Sequence, residues 1–171
     1  MRGRKREGDY DMARMIARCL YMGMALNVII PVALLFVCYY IANNYYLTNR
    51  LGEWTRPVFY IFGVLGIIQA GLAIWWRGQR LNQPLIRKRE TFESDLTANL
   101  AKALQPIFWL IASISVYGYL YFFLTGLFTE TVFFVVLSFL VFQVVRPRYG
   151  FLEKVIARQE ELVDKNRFFV D

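Results

Sequence analysis

What most constrains this chain is the spacing of its charges. Four stretches, 19–49, 57–76, 103–129 and 131–145, contain no Asp, Glu, Lys, Arg or His. About 20 apolar residues in a helix span the ~30 Å hydrocarbon core of a bilayer. A soluble domain of 171 residues has no use for an uncharged run as long as 19–49. The first stretch crosses with residues to spare, and the second is close to the required length. The third and fourth form one run broken only by Glu130, which suits a tight helical hairpin with Gly126-Leu127-Phe128-Thr129-Glu130 as its turn. The fourth is short and borrows Arg146, whose long stem can snorkel to the headgroups. Runs such as Val28-Ile29-Ile30 and Phe133-Phe134-Val135-Val136-Leu137 do not alternate in polarity, which excludes a transmembrane barrel. A cleaved signal peptide has a shorter apolar core and a small-residue cleavage site, and Tyr39-Tyr40 is a poor one.

The expected fold class is therefore an all-α integral membrane protein. Its four transmembrane helices form two hairpins, with amphipathic helices on the N- and C-terminal, inner side. A single four-span domain covers 1–171. Within it, 1–18 is a basic segment, 19–46 the first span, 57–76 the second and 77–105 an inner loop containing a helix. Residues 106–127 are the third span, 130–146 the fourth, and 150–167 an amphipathic C-terminal helix.

Orientation follows from the distribution of cations. Of the 20 Lys and Arg, all but Arg50 and Arg56 fall in 1–18, 77–102 and 146–171. Positive flanks stay on the cytoplasmic side. Both termini are expected in the cytoplasm, or in the matrix, of a bacterial or mitochondrial inner membrane. The +7 net charge arises on that side and reads as topology signalling, so nucleic acid is not an expected partner. Cys19 and Cys38 lie at opposite ends of one span, about 28 Å apart along a helix, too far to form a disulfide.

Local patterns refine this plan. Met12, Met15, Ile16, Cys19 and Leu20 share a helical face opposite Arg14 and Arg18, and Pro31 predicts a kink within the first span. Tyr39, Tyr40, Tyr45, Tyr46 and Trp54 mark one interface, Trp75 and Trp76 the other. In the inner loop, Leu96, Leu100 and Leu104 recur at i+4 from about Ser94, and Pro106 allows a bend before the third span. Pro147 stops the fourth helix. Beyond it, Leu152, Val155, Ile156, Gln159, Leu162 and Val163 line one side of a helix that lies on the membrane or docks on a partner. Val58-Phe59 and Gln69 match Val132-Phe133 and Gln143 at an offset of 74, a likeness that so apolar a chain readily produces by chance and that a duplication would make a parallel repeat.

The chemistry is sparse. The chain has no histidine, the two cysteines are separated, and no span contains a carboxylate. These absences argue against haem, metal sites, redox centres and intramembrane proton relays, so neither metal nor cofactor is expected. No phosphate-binding loop, dinucleotide fingerprint or nucleophile elbow occurs, and no catalytic residue is assigned. Three intramembrane polar residues, Asn27, Gln69 and Gln143, are expected to make interhelical hydrogen bonds. Gly63, Gly66, Ala70 and Ala73 form a narrow stripe of small side chains that invites close helix packing. Arg77, Arg80, Arg87, Lys88 and Arg89 are candidates for holding anionic phospholipid such as cardiolipin.

These features point to a non-catalytic accessory subunit of a membrane complex. The expected partners are other membrane subunits and anionic phospholipids. By analogy of class, an energy-transducing complex is expected, an ATP synthase or a respiratory assembly. A small oligomeric transporter or channel with Gln69 and Gln143 on its pore is the alternative. A lipid-acting enzyme, with the tri-basic cluster gripping the headgroup, is a third reading.

Overall fold

The computed structural model describes residues 12–169, and the basic stretch before Met12 lies outside them. Among the described residues all regular structure is helical. Helices α1 (Met12–Met24), α2 (Ile30–Asn44), α3 (Thr55–Asn82), α4 (Phe92–Thr125), α5 (Phe128–Val145) and α6 (Tyr149–Asp164) follow in chain order. Four helical segments are long and apolar enough to cross a membrane: Ala13–Asn44, Gly52–Asn82, Arg89–Thr125 and Phe128–Val145. The chain is accordingly a multi-pass integral membrane protein.

Helices α1 and α2 are one continuous rod joined by a π turn, Ala25–Ile29. The cause lies at Pro31, which has no N–H and whose ring would strike the carbonyl four residues back in a regular helix. The widened turn changes the bonding register, with the Ile30 N–H bonding Ala25 O.

Helix α4 is the hub, packing against α1, α2, α3 and α5. Its 34 residues reach ~51 Å, well beyond a bilayer core. The expected separation into a loop helix and a third span does not occur. Helix α4 runs unbroken through Pro106, and its Leu96, Leu100 and Leu104 are completely buried. Continuity is affordable because Phe92–Leu104 packs on α1 and the inner loop, so tertiary contacts outweigh the lost Pro106 bond.

Helices α4 and α5 form the tight hairpin. The turn is shorter than expected: Gly126 takes a left-handed φ of 75°, its N–H closes on Phe122 O, and Phe128 already begins α5. The two backbones approach closely at Gly118, where a Cβ would lie 2.9 Å from Phe134 Cβ and 3.0 Å from Thr131 O. The Thr131 hydroxyl donates to Gly118 O and the Ser138 hydroxyl to Ile111 O, buried bonds that lock the pair.

The other two spans do not form a comparably packed hairpin. Helix α3 packs on α4 and α5, whereas α1 and α2 also pack on α4 and α5 and make little contact with α3. Gly23 in α1 is the close approach there, since a Cβ would meet Phe142 at 2.6 Å and Phe108 at 3.1 Å. On the α3 side, Phe59 sits among Tyr121, Phe133 and Phe134, and Phe62 stacks on Tyr117.

Helix α6 buries the six residues expected on one face, Leu152, Val155, Ile156, Gln159, Leu162 and Val163. They dock on this chain's own loop and helix ends. Gln159 is fully buried, accepts from the Leu85 N–H at 2.8 Å and donates to Gln83 O at 3.0 Å. Asn99 of α4 donates to Leu85 O, and the Phe169 N–H bonds Ile86 O. The result is a small folded cap at the end of the bundle where α1 begins and α6 lies.

Candidate functional site

The densest collection of cations with a shaped surface lies between the end of α3 and α6. A cleft of about 260 Å³ is lined by Ile74, Arg77, Gly78, Phe151, Lys154 and Arg158, among others. Gly78 leaves its floor open, with nothing within 4 Å of where a Cβ would stand. The Arg77 guanidinium lies 3.8 Å above the Phe151 ring centroid, and its Nη1 donates to Val144 O at 3.1 Å. Its Nε is buried without an acceptor, as is that of Arg146 at the end of α5. Each such orphaned donor costs ~1–3 kcal/mol or more, because the group loses water and gains nothing.

Neighbouring charges reinforce the positive field. Arg148 donates to Gln143 O, and Arg158 pairs with Glu161 at 2.8 Å. Hydrogen bonds from Lys165 and Arg158 hold the Glu161 carboxyl below the usual carboxylate range. Lys154 is exposed and has no ion-pair partner among the described residues.

The five cations singled out in the sequence are not gathered in one place. Arg77 enters the cleft. Arg80 lies 5.4 Å over Trp76, Arg87 lies 5.6 Å over Phe169, and Arg89 pairs with Asp164 at 3.0 Å. Lys88 is exposed. Lys154 and Arg158 were hidden in the sequence among the charges of an amphipathic helix. Their i,i+4 spacing shows that they share a face, but only the docking of α6 brings that face to Arg77.

The intramembrane polar residues have specific surroundings. Gln69 donates to the Tyr117 hydroxyl at 2.9 Å, and the Ser113 hydroxyl lies 3.3 Å from its Oε1. Asn27 donates to Gly23 O within its own helix, while its buried Oδ1 has no donor. Gln143 is half-buried, and it is its main-chain carbonyl that receives Arg148. Tyr119, unmarked in the sequence beyond its polarity, reaches across to Pro31 O at 2.6 Å.

Of the small-residue stripe, Gly66 and Ala73 are buried, and Gly63 and Ala70 are half-buried. A Cβ at Gly66 would touch Ile114 and Leu137 at 3.4 and 3.5 Å, while one at Gly63 would meet nothing within 4 Å. The closest helix contacts are at Gly23 and Gly118 instead. Their signal in the sequence was a lone glycine facing aromatic residues, which no spacing rule isolates.

A second, larger cleft of about 680 Å³ lies beside Arg14, Arg18, Glu90, Glu93, Ser94 and Thr97. Its walls carry both signs of charge. Among the described residues no three His, Cys, Asp or Glu side chains are grouped so as to hold a metal ion.

No family model matches this chain, and neither the curated proteins nor the solved structures contain a match to it.

Proposed function

We propose that this protein is a non-catalytic structural subunit of a larger membrane complex, stabilising its assembly by helix packing and lipid contacts. One observation carries the reading: four hydrogen-bonding side chains within the spans hold one helix to another. Gln69 binds Tyr117, Tyr119 binds Pro31 O, Thr131 binds Gly118 O, and Ser138 binds Ile111 O. A pore needs such groups turned toward an aqueous path, and a catalyst needs them facing a substrate. Here they are consumed internally, while α2 and α3 turn outward a broad apolar surface that includes Phe36, Tyr40, Ile61 and Ile67. In the most apolar stretch of α3 only 11% of residues are buried, against 56% in α4, so α3 has most of its side chains free for lipid or a partner helix.

The complex is proposed to be an energy-transducing one, an ATP synthase or a respiratory assembly, in a mitochondrial or bacterial inner membrane. Both termini, and with them the α6 cap, are assigned to the matrix or cytoplasm by the positive flanks. Mild-detergent purification with mass spectrometry of co-migrating proteins tests the reading. Stoichiometric companions support it; recovery solely as a monomer or homo-oligomer overturns it.

The transporter reading draws on Asn27, whose buried Oδ1 lacks a donor inside a π turn, a distortion frequent at functional sites. In liposomes, solute flux abolished by Asn27→Leu or Gln69→Leu would favour it.

A further inference from the structure

The geometry points to the α3–α6 cleft as a binding site for the phosphate headgroup of an anionic phospholipid, held by Arg77, Lys154 and Arg158. This rests on the membrane-spanning reading and not on membership of a complex.

Three features converge. The first is depth. Arg77 directly follows the uncharged stretch 57–76, so the cleft stands where a spanning helix meets the headgroups. Ile74 and Trp75, just before it, are exposed and apolar, a surface for an acyl chain whose phosphate sits at Arg77. The second is size. About 260 Å³ suits a phosphate and its glycerol linkage but is small for a folded protein segment.

The third is the state of the cations. Arg77 uses Nη1 on Val144 O, and its Nε–H has no acceptor. Guanidinium N–H groups bind phosphate oxygens strongly, and the Arg77 Nη2, neither bonded within the protein nor sealed off as Nε is, is the donor an entering phosphate can reach. Phe151 holds the guanidinium plane in place by stacking. Lys154 adds a mobile point charge from α6, and Arg158, although paired with Glu161, adds a second. Nothing in the isolated loop 87–89 offers this arrangement, because Arg87 and Arg89 are directed to Phe169 and Asp164.

The test is native mass spectrometry of the full chain in detergent, titrated with phosphatidylglycerol or cardiolipin, with phosphatidylcholine, and with glycerol 3-phosphate. The expected result is retention of the anionic lipids over phosphatidylcholine, reduced about tenfold in Lys154→Gln/Arg158→Gln. Both substituted side chains are exposed, so circular dichroism should report unchanged helicity. Lys88→Gln/Lys102→Gln, both exposed, removes the same charge from outside the cleft and should leave retention within about twofold. Equal losses in the two double variants would mean diffuse attraction and overturn the site. Glycerol 3-phosphate competing at the lipid's own concentration would reassign the cleft to a soluble phosphate. Displacement of the lipid by an acidic peptide at similar concentration would reassign it to a protein partner. Absence of co-purifying proteins would leave this result standing while removing the complex.

Discussion

At Gly118 the space for a side chain is already taken by Phe134 Cβ and the Thr131 carbonyl, and neither is the free end of a flexible group. Gly118→Ala should therefore destabilise the α4–α5 pair by ~1–3 kcal/mol. Gly63→Ala, with no atom within 4 Å, should be neutral or stabilising by up to ~1 kcal/mol. Thermal unfolding of both variants in one detergent reads the contrast, and equal midpoints would contradict the packing described. Gln159 is the other decisive residue. Its amide is the hydrogen-bond partner of Leu85 N–H and of Gln83 O, and Leu81 O lies 3.4 Å away. Gln159→Leu leaves those buried main-chain groups unpaired and should cost ~2–4 kcal/mol, seen first as faster hydrogen exchange at Leu85. Asn27, Gln69 and Gln143 were legible as polar residues at plausible depths. The Tyr117 partner of Gln69 was not, because it is set by the rotation of another helix, and Asn27, expected to bond between helices, turns back on Gly23 O of its own.

Among the elements, the first span shows how a local rule and a distant contact combine. Pro31 predicts a distortion from sequence alone. That it takes the form of a π turn, with Tyr119 of α4 bonded to Pro31 O, depends on the neighbour. Tyr119→Phe removes that bond and should loosen the contact between the first span and α4 by ~0.5–1.5 kcal/mol, measured as a lowered unfolding midpoint with helix content unchanged. Helix α6 carries a pH dependence. Lys165 and Arg158 depress the Glu161 pKa, so the folded state favours the ionised form. The stabilisation is present above the unfolded carboxylate pKa and is lost as pH falls through the lower, folded value. The last turn of α6 should fray on acidification across that window, and Glu161→Gln should remove the dependence; chemical shifts of Val163 and Asp164 would follow it. The amphipathic face of α6 was fully readable from its period. Its docking on the chain's own loop was not, because an apolar stripe fits a membrane, a partner or its own chain equally well.

The whole molecule is a central α4–α5 hairpin flanked separately by α3 and by the α1–α2 rod, with a basic cap at one end. Residues 48 and 165 lie in connections at opposite ends of the bundle and should label from opposite sides of a sealed membrane as Thr48→Cys and Lys165→Cys. Cys19 and Cys38, both 2% exposed, should stay unlabelled. Labelling of both new cysteines from one side would overturn the four-span topology. The substitution pair in the α3–α6 cleft tests a separate property at the same scale, since its cations come together only when α6 folds back on α3.

By itself the sequence determined that the chain is helical, that four segments are apolar enough to cross a membrane, and which segments carry the positive charge. Each of these depends on the free energy of moving a residue type between water and hydrocarbon, which composition and period along the chain express directly. Tertiary structure alone decided that α4 would pass Pro106 unbroken, that Gly23 and Gly118 rather than the Gly63 to Ala73 stripe would make the closest contacts, and that Arg77 would meet Lys154 and Arg158. Those outcomes depend on which helix faces meet, and that choice is made by shape and hydrogen bonding between segments far apart in the chain.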